Sequence, residues 1–133
     1  MDSSLIAVDT TGRTIIDLTG ELERFCAHLG DGLVNVFVPH ATAGLAFLEV
    51  GSGSEYDLEE ALRRLLPRDD RYHHRHGSEG HGADHVVPAF VSPSASVPVI
   101  GGKAQLGTWQ SLVLVDTNRD NPRRHVRLSF LAG

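Results

Sequence analysis

Cysteine is almost absent from this chain: Cys26 stands alone among 133 residues, so no internal disulfide forms and nothing points to an oxidising compartment. No apolar run approaches the roughly 20 residues that cross a bilayer, and the N-terminal segment lacks the basic and apolar regions of a signal peptide. A cationic excess is missing as well, because the net charge is −5. These absences predict a cytoplasmic protein whose partners are neither nucleic acids nor membranes.

What the chain does contain is the composition of an ordinary globular protein, with 41% hydrophobic and 22% charged residues. This length suits one domain, so residues 1–133 are predicted to form a single domain. A chain of this size buries enough surface for a core without disulfides. Cys26 lies on the apolar stripe of a predicted helix, which favours a small buried side chain over a nucleophile.

Apolar stripes of helical period and several β-branched runs indicate the order of elements. Residues 4–9 and 13–18 predict two strands joined as an opening hairpin, and Thr19 is placed to cap the helix that follows. A second helix is predicted from Ser54 to Pro67. Further strands are predicted at residues 33–38, 43–50, 94–100, 103–106, 109–116 and 125–131. This order predicts an α+β fold: a compact single domain with a mainly antiparallel sheet or sandwich and two main helices.

Residues 67–84 change the character of the chain, because they hold four of its eight histidines and almost nothing apolar except Tyr72. A loop this long in a small domain is usually functional or disordered. Five histidines lie within thirteen residues: His73, His74, His76, His81 and His85. Neutral imidazole binds borderline transition metals, so one interpretation is an open site of two or three histidines with a carboxylate. The other is a solvated polar loop with ordinary surface histidines.

Four further polar or aromatic residues are candidates for a site. His40 lies just after a predicted buried strand, beside small residues that allow close approach of a ligand, although a half-buried histidine bonded to backbone explains it equally well. Glu49 is a partner for a histidine, a general base, or an exposed strand end. Trp109 favours a core position over a cofactor platform, whereas the amide of Gln110 needs a partner if it faces inward.

Basic side chains near the C-terminal strands could meet a phosphate, but a solvated surface is the preferred interpretation for each of them. They are Lys103, Arg123, Arg124 and Arg127.

Three segments together resemble one known family. Residues 39–44 with Glu49 are similar to its H-x-T-A-G and N-E signature, although Leu48 stands where the family has Asn. Residues 72–85 resemble its Y-x-H and H block, and residues 94–110 resemble its P-S-x-T-x-P-V and L-G-T-W-Q stretch. On these motifs the chain resembles the YjbQ family, also called secondary thiamine-phosphate synthase, over nearly its whole length.

The resemblance implies a compact α+β fold, a homotrimer, and a polar site near the subunit interfaces. It implies a divalent metal, zinc or magnesium, held by His40, His74 and His85. Glu49 would orient a ligand or act as base with His40 and Gln110 as its catalytic companions. Lys103, Arg124 and Trp109 would contact a small, phosphorylated ligand.

The family name implies a transferase that joins a pyrimidine pyrophosphate to a thiazole phosphate and releases pyrophosphate. Two alternatives stand beside it: a metal-dependent hydrolase of a small phosphorylated or polar molecule, and a non-enzymatic trimer that binds a metal or small ligand. The roles of His73, His76 and His81 stay open.

Overall fold

The computed structural model describes residues 1–133, which form eight strands and four helical segments. The strands are β1 (Asp2–Asp9), β2 (Ile15–Asp17), β3 (Gly32–Phe37), β4 (Ala43–Leu48), β5 (Ser94–Ile100), β6 (Lys103–Ala104), β7 (Ser111–Asp116) and β8 (Arg123–Ala132). The helices are α1 (Thr19–Cys26), α2 (Ser54–Leu65), α3 (His81–Asp84) and α4 (Val87–Phe90). The predicted α+β class with two main helices is confirmed. None of these helices has both the length and the apolar character needed to cross a membrane.

The strands form two sheets in which every pairing is antiparallel. The larger sheet has the order β1-β8-β3-β5-β6, and the smaller has the order β2-β7-β4. In the larger sheet β8 shows period-2 burial, with Val126, Leu128 and Phe130 turned inward. The other face of the larger sheet carries the exposed residues that alternate with these along β8, and no helix of this chain packs in an apolar core on that face.

Two apolar cores lie on the two faces of the smaller sheet. The first core fills the space between the sheets and includes Leu22 and Cys26 of α1, both completely buried. The second core packs α2, α3 and α4 against the opposite face of the smaller sheet. The prediction of Cys26 as a buried apolar residue is therefore confirmed, and the layers follow the order sheet, sheet, helices.

The predicted opening hairpin is wrong, because β1 pairs with β8 while β2 pairs with β7 in the other sheet. The turn at residues 10–12 carries the chain from one sheet to the other. There the backbone N–H and the hydroxyl of Thr10 both donate hydrogen bonds to the carbonyl oxygen of Pro122. Thr19 does not cap α1 either. Its hydroxyl oxygen accepts the backbone N–H of Leu112 at 2.9 Å and so ties α1 to β7.

Candidate metal centre

Four imidazoles meet in the segment that follows α2, and we call His74, His76, His81 and His85 the histidine centre. Ring centroids lie 3.8 Å apart for His74 and His85, 4.0 Å for His74 and His76, and 4.8 Å for His81 and His85. One ligand atom from each of His74, His76 and His85 lies within 4.8 Å of the other two. Of the predicted metal ligands, the structure thus brings His74 and His85 together and adds His76.

The local sequence explains why these rings converge. His81 and His85 are four residues apart across the turn of α3, a spacing that puts two side chains on one helical face. The loop then packs directly on α3 at Gly82. A Cβ there would lie 2.5 Å from the Cβ of Tyr72 and 2.6 Å from the carbonyl oxygen of His74, so only glycine permits this approach.

The buried carboxylate of Asp84 supports the histidine centre through its contact with His81. Asp84 is fully buried, and its Oδ1 accepts the hydroxyl of Thr117 at 2.6 Å. The guanidinium of Arg68 forms a salt bridge to the same carboxylate. The other oxygen, Oδ2, lies 3.0 Å from Nδ1 of His81, and Oδ2 of Asp120 lies 3.4 Å from that nitrogen. Acidic groups therefore flank one edge of the His81 ring.

The electrostatics of the centre favour neutral imidazoles. Burial, followed by repulsion from His76 and His81, lowers the pKa of His74. Burial, and then repulsion from the neighbouring rings, likewise lowers the pKa of His85. Nδ1 of His74 is shielded from solvent and has no hydrogen-bond partner. A neutral imidazole that carries its proton on Nε2 has its lone pair on Nδ1, and in that tautomer the unpartnered nitrogen of His74 fits a metal ion.

A second polar cluster, which we call the arginine network, comprises Arg124, Asp116, Thr42 and Asn118. Nε of Arg124 donates to Oδ2 of Asp116 at 2.5 Å, and its Nη2 donates to the hydroxyl of Thr42 at 2.7 Å. The side-chain amide of Asn118 also donates to Thr42 at 3.2 Å. Arg124 is only 4% exposed, so its interpretation as a solvated surface residue is wrong.

His40 lies beside the arginine network. Its Nε2 accepts the backbone N–H of His125 at 2.9 Å. This hydrogen bond continues the contact between the two chain segments beyond Phe37 and Arg127, the last paired residues of β3 and β8 at this end. Burial, followed by repulsion from Arg124, lowers the pKa of His40. Its only ring neighbour is His125, at 6.4 Å, so within one chain His40 is not among the rings of the histidine centre. Its role as a metal ligand stays a prediction.

The remaining predicted site residues are exposed and make no contact with the histidine centre: Glu49, Lys103, Trp109 and Gln110. Trp109 is 74% exposed, so its interpretation as a core residue is wrong. The predicted strand start at residue 109 is wrong too, because residues 107–110 form a turn and β7 begins at Ser111. Oε1 of Gln110 accepts the backbone N–H of Gly107 at 2.8 Å within that turn. The catalytic and ligand-binding roles given to these residues stay predictions.

Sequence reasoning missed the groups that support the rings. Asp84 carried a signal, because the order His81-x-x-Asp84-His85 places all three side chains together on one helical turn. Arg68, Thr117 and Asp120 reach the centre from distant positions, and no pattern in their own segments indicates this. Thr117 and Asp120 reach the centre from the segment after β7, and Arg68 reaches it from the segment after α2.

Comparisons with known proteins agree with the fold and the motifs. A family model described as "UPF0047 protein YjbQ-like" matches residues 4–133. A UPF0047 protein of Mycobacterium tuberculosis is 64% identical over 133 residues, covering 100% of both chains. A UPF0047 protein of Archaeoglobus fulgidus is 36% identical over 110 residues, covering 83% of this chain and 86% of that one.

Solved structures give the same result. A hypothetical protein from Aeropyrum pernix K1 superimposes with a TM-score of 0.88 at 30% identity, with 100% of both chains covered. A protein of unknown function from Sulfolobus solfataricus has a TM-score of 0.90 at 24% identity, covering 99% of this chain and 97% of that one, which shows the shared fold. With its fold, its histidine motifs and its match to the family model over residues 4–133, this chain belongs to the YjbQ (UPF0047) family.

Proposed function

We propose that this protein binds a divalent transition-metal ion, zinc first among the candidates, through His74, His76 and His85. The observation that carries the proposal is the convergence of three imidazoles whose ligand atoms lie within 4.8 Å of one another. The unpartnered buried Nδ1 of His74 adds to it, since a metal would supply the missing partner.

The donor set favours zinc over magnesium. Magnesium prefers oxygen ligands and retains several waters, whereas zinc binds imidazole nitrogen readily. The lowered pKa values of His74 and His85 keep these rings neutral near pH 7, the form that binds a metal. A bound zinc ion would supply a Lewis acid that polarises a carbonyl or phosphoryl oxygen.

Zinc titration of metal-free protein tests the proposal. Calorimetry should show one saturable zinc-binding step in the wild type, and His74→Ala should abolish it because the variant loses a ligand. His73→Ala is the matched control, since His73 is an exposed histidine of the same segment with no ring contact to the centre. The proposal fails if the wild type binds no zinc stoichiometrically, or if both variants titrate alike.

Thiamine-phosphate synthase activity is the second candidate, and one observation favours it. A cleft lined by Arg63, Arg68 and Arg119 also includes Thr117, and both Arg68 and Thr117 contact Asp84 of the histidine centre's supporting groups. Arg119 is exposed and makes no salt bridge, so its guanidinium is free to meet a phosphate, whereas Arg124 is committed to Asp116. The predicted phosphate contact at Arg124 is thus better supported at Arg119.

This activity is tested by incubating the two thiamine precursors with zinc-loaded protein and quantifying thiamine phosphate. We expect product, and Arg119→Ala should reduce its formation about tenfold or more because one charge-assisted contact is lost. Arg24→Ala, on the exposed surface of α1, is the control. No product above the His74→Ala background counts against the synthase. A hydrolase panel and ligand-binding assays then decide between the hydrolase and the non-enzymatic binder.

The homotrimer belongs to the same proposal and is supported by the uncovered face of the larger sheet. Leu33, Phe37 and Leu131 are 43%, 42% and 64% exposed on that face, which is apolar surface that a neighbouring subunit would cover. His40 and His125 lie at the end of this face, so a neighbour docked there could bring its own histidines to them. The single buried cysteine fits the cytoplasmic location proposed for the trimer. Light scattering should give three times the 14.4 kDa chain mass; a monomer mass refutes the trimer.

A further inference from the structure

We propose that Asp84, His81 and His85 form a hydrogen-bonded relay that fixes the tautomers of both histidines, so that His81 is the positioning residue of the metal centre. In this relay Asp84 holds the proton of His81 on Nδ1, and His81 holds the proton of His85 on Nε2. His85 is then left with its lone pair on Nδ1. The metal-ligand part of this inference rests on the proposed zinc site, whereas the tautomers are a property of the metal-free chain.

The direction of the relay starts at Asp84. Its carboxylate forms a salt bridge to Arg68 and accepts the hydroxyl of Thr117 at 2.6 Å. An ionised carboxylate is an acceptor only, so the 3.0 Å contact between its Oδ2 and Nδ1 of His81 requires the proton on the histidine. Oδ2 of Asp120, 3.4 Å from the same nitrogen, favours the proton there as well.

The position of the proton on His85 follows from the donors and acceptors available on the two rings. A neutral imidazole that carries its proton on Nδ1 has a lone pair on Nε2. Nε2 of His81 lies 3.1 Å from Nε2 of His85, and two lone pairs cannot make that contact. For a neutral His81, His85 must therefore donate from Nε2 and keep its lone pair on Nδ1.

The relay has a consequence for ligand strength. Histidines that bind metals commonly pass their other ring N–H to a carboxylate or carbonyl, which orients the ring and raises its basicity. Here the carboxylate acts on His85 through His81 rather than directly. His81 is 5% exposed and Asp84 is 0% exposed, so both are held firmly enough to keep the ring of His85 in place.

The tautomers can be read directly by NMR. Two-bond ¹H–¹⁵N correlation spectra of the metal-free, ¹⁵N-labelled full chain at about pH 8.5, above the ordinary imidazole pKa of about 6.5, distinguish the two neutral tautomers. We expect the proton on Nδ1 of His81 and on Nε2 of His85. The opposite tautomer of either ring overturns the relay, and this outcome needs no variant and no metal.

Variants then test its effect on the ion. His81→Ala should weaken zinc affinity by about 10–100-fold and return His85 to a mixture of tautomers, whereas His73→Ala should change neither. Thr117→Val, which removes one donor to Asp84, should produce the same change in the His85 tautomer to a smaller degree. A loss of zinc affinity in His81→Ala with no change in the His85 tautomer overturns the relay. The expected tautomers in a wild type that binds no zinc would instead refute the proposed function and leave the relay standing.

Discussion

The arginine network is buried throughout, whereas the histidine centre combines the buried His81 with the half-buried His74 and His85 and the exposed His76, and the two clusters differ in how completely their polar groups are paired. In the arginine network Arg124 donates to two partners and Asp116 accepts from Arg124 and from the backbone of Asn118. The histidine centre leaves Nδ1 of His74 shielded and unpaired. A cluster that satisfies itself stabilises the fold, whereas one that leaves a buried atom unpaired is suited to a ligand. The following experiments test that distinction.

Removal of a partner from the arginine network should have the largest effect. Asp116→Ala leaves the guanidinium of Arg124 buried without its carboxylate, which should lower the free energy of unfolding by about 3–5 kcal/mol. Urea denaturation measures the change, and Asp2→Ala, an exposed aspartate of β1, should stay within about 0.5 kcal/mol of the wild type. A loss under about 1 kcal/mol for Asp116→Ala would contradict the structural role of the network.

Zinc should stabilise the protein through the histidine centre. At a free zinc concentration 100 times the dissociation constant, the free energy of unfolding should rise by about 2.7 kcal/mol. His76→Ala should remove this gain, because His76 supplies one of the three ligand atoms. His28→Ala, an exposed histidine outside the centre, should retain it. An equal gain in both variants would show that zinc stabilises the chain elsewhere.

A His40 variant tests whether this residue is a metal ligand or only a hydrogen-bond acceptor beside the arginine network. His40→Ala removes the acceptor of the His125 backbone N–H and should cost about 1 kcal/mol of stability. His125→Ala keeps that backbone bond and should cost less. If His40 serves only as the acceptor for the His125 backbone N–H, the gain in stability on zinc addition should be unchanged in His40→Ala. A lost gain would instead show that His40 joins the metal ligands, as the family resemblance implies.

The smallest effect should be a loss of stability in mild acid. The folded-state pKa of His74 lies below its unfolded value of about 6.5, so the unfolded chain takes up protons first as the pH falls. The stability that this shift represents is present above about pH 6.5 and is lost as the pH falls through the folded-state pKa. Melting temperatures of metal-free protein should therefore decline in that range, and His74→Gln should flatten the decline while His28→Gln does not. A steeper decline in His74→Gln would reverse the assigned sign.

The sequence predicted the elements that depend on local pattern. The stripe through Leu22 and Cys26 and the alternation in β8 both correspond to buried faces, because period and burial are directly linked. Local pattern could not show whether the first two strands pair with each other. Residues 4–9 and 13–18 are close in sequence, but each finds its partner about a hundred residues away, and this pairing depends on the packing of two sheets.

The candidate site shows the same division. The density of histidines predicted a site in this segment, and the family resemblance selected His74 and His85. Their meeting with His76 needs only a loop that folds back on α3. The burial of Arg124 could not be expected, because it follows Arg123 and precedes His125 in a segment that reads as polar. Arg124 turns inward toward Asp116 because β8 of the larger sheet packs against the end of β7 in the smaller sheet.

β7 contributes to both apolar cores, and this has a consequence for cooperativity. Leu112 and Leu114 lie in the first core, while Val113 and Val115 lie in the second. The strand ends at Asp116 in the arginine network, and the next residue, Thr117, bonds to Asp84. Opening of either core must therefore disturb the other, so the domain has no independently unfolding unit around the histidine centre. Occupancy of the histidine centre should consequently slow hydrogen exchange along the whole of β7, well beyond the residues that touch an ion.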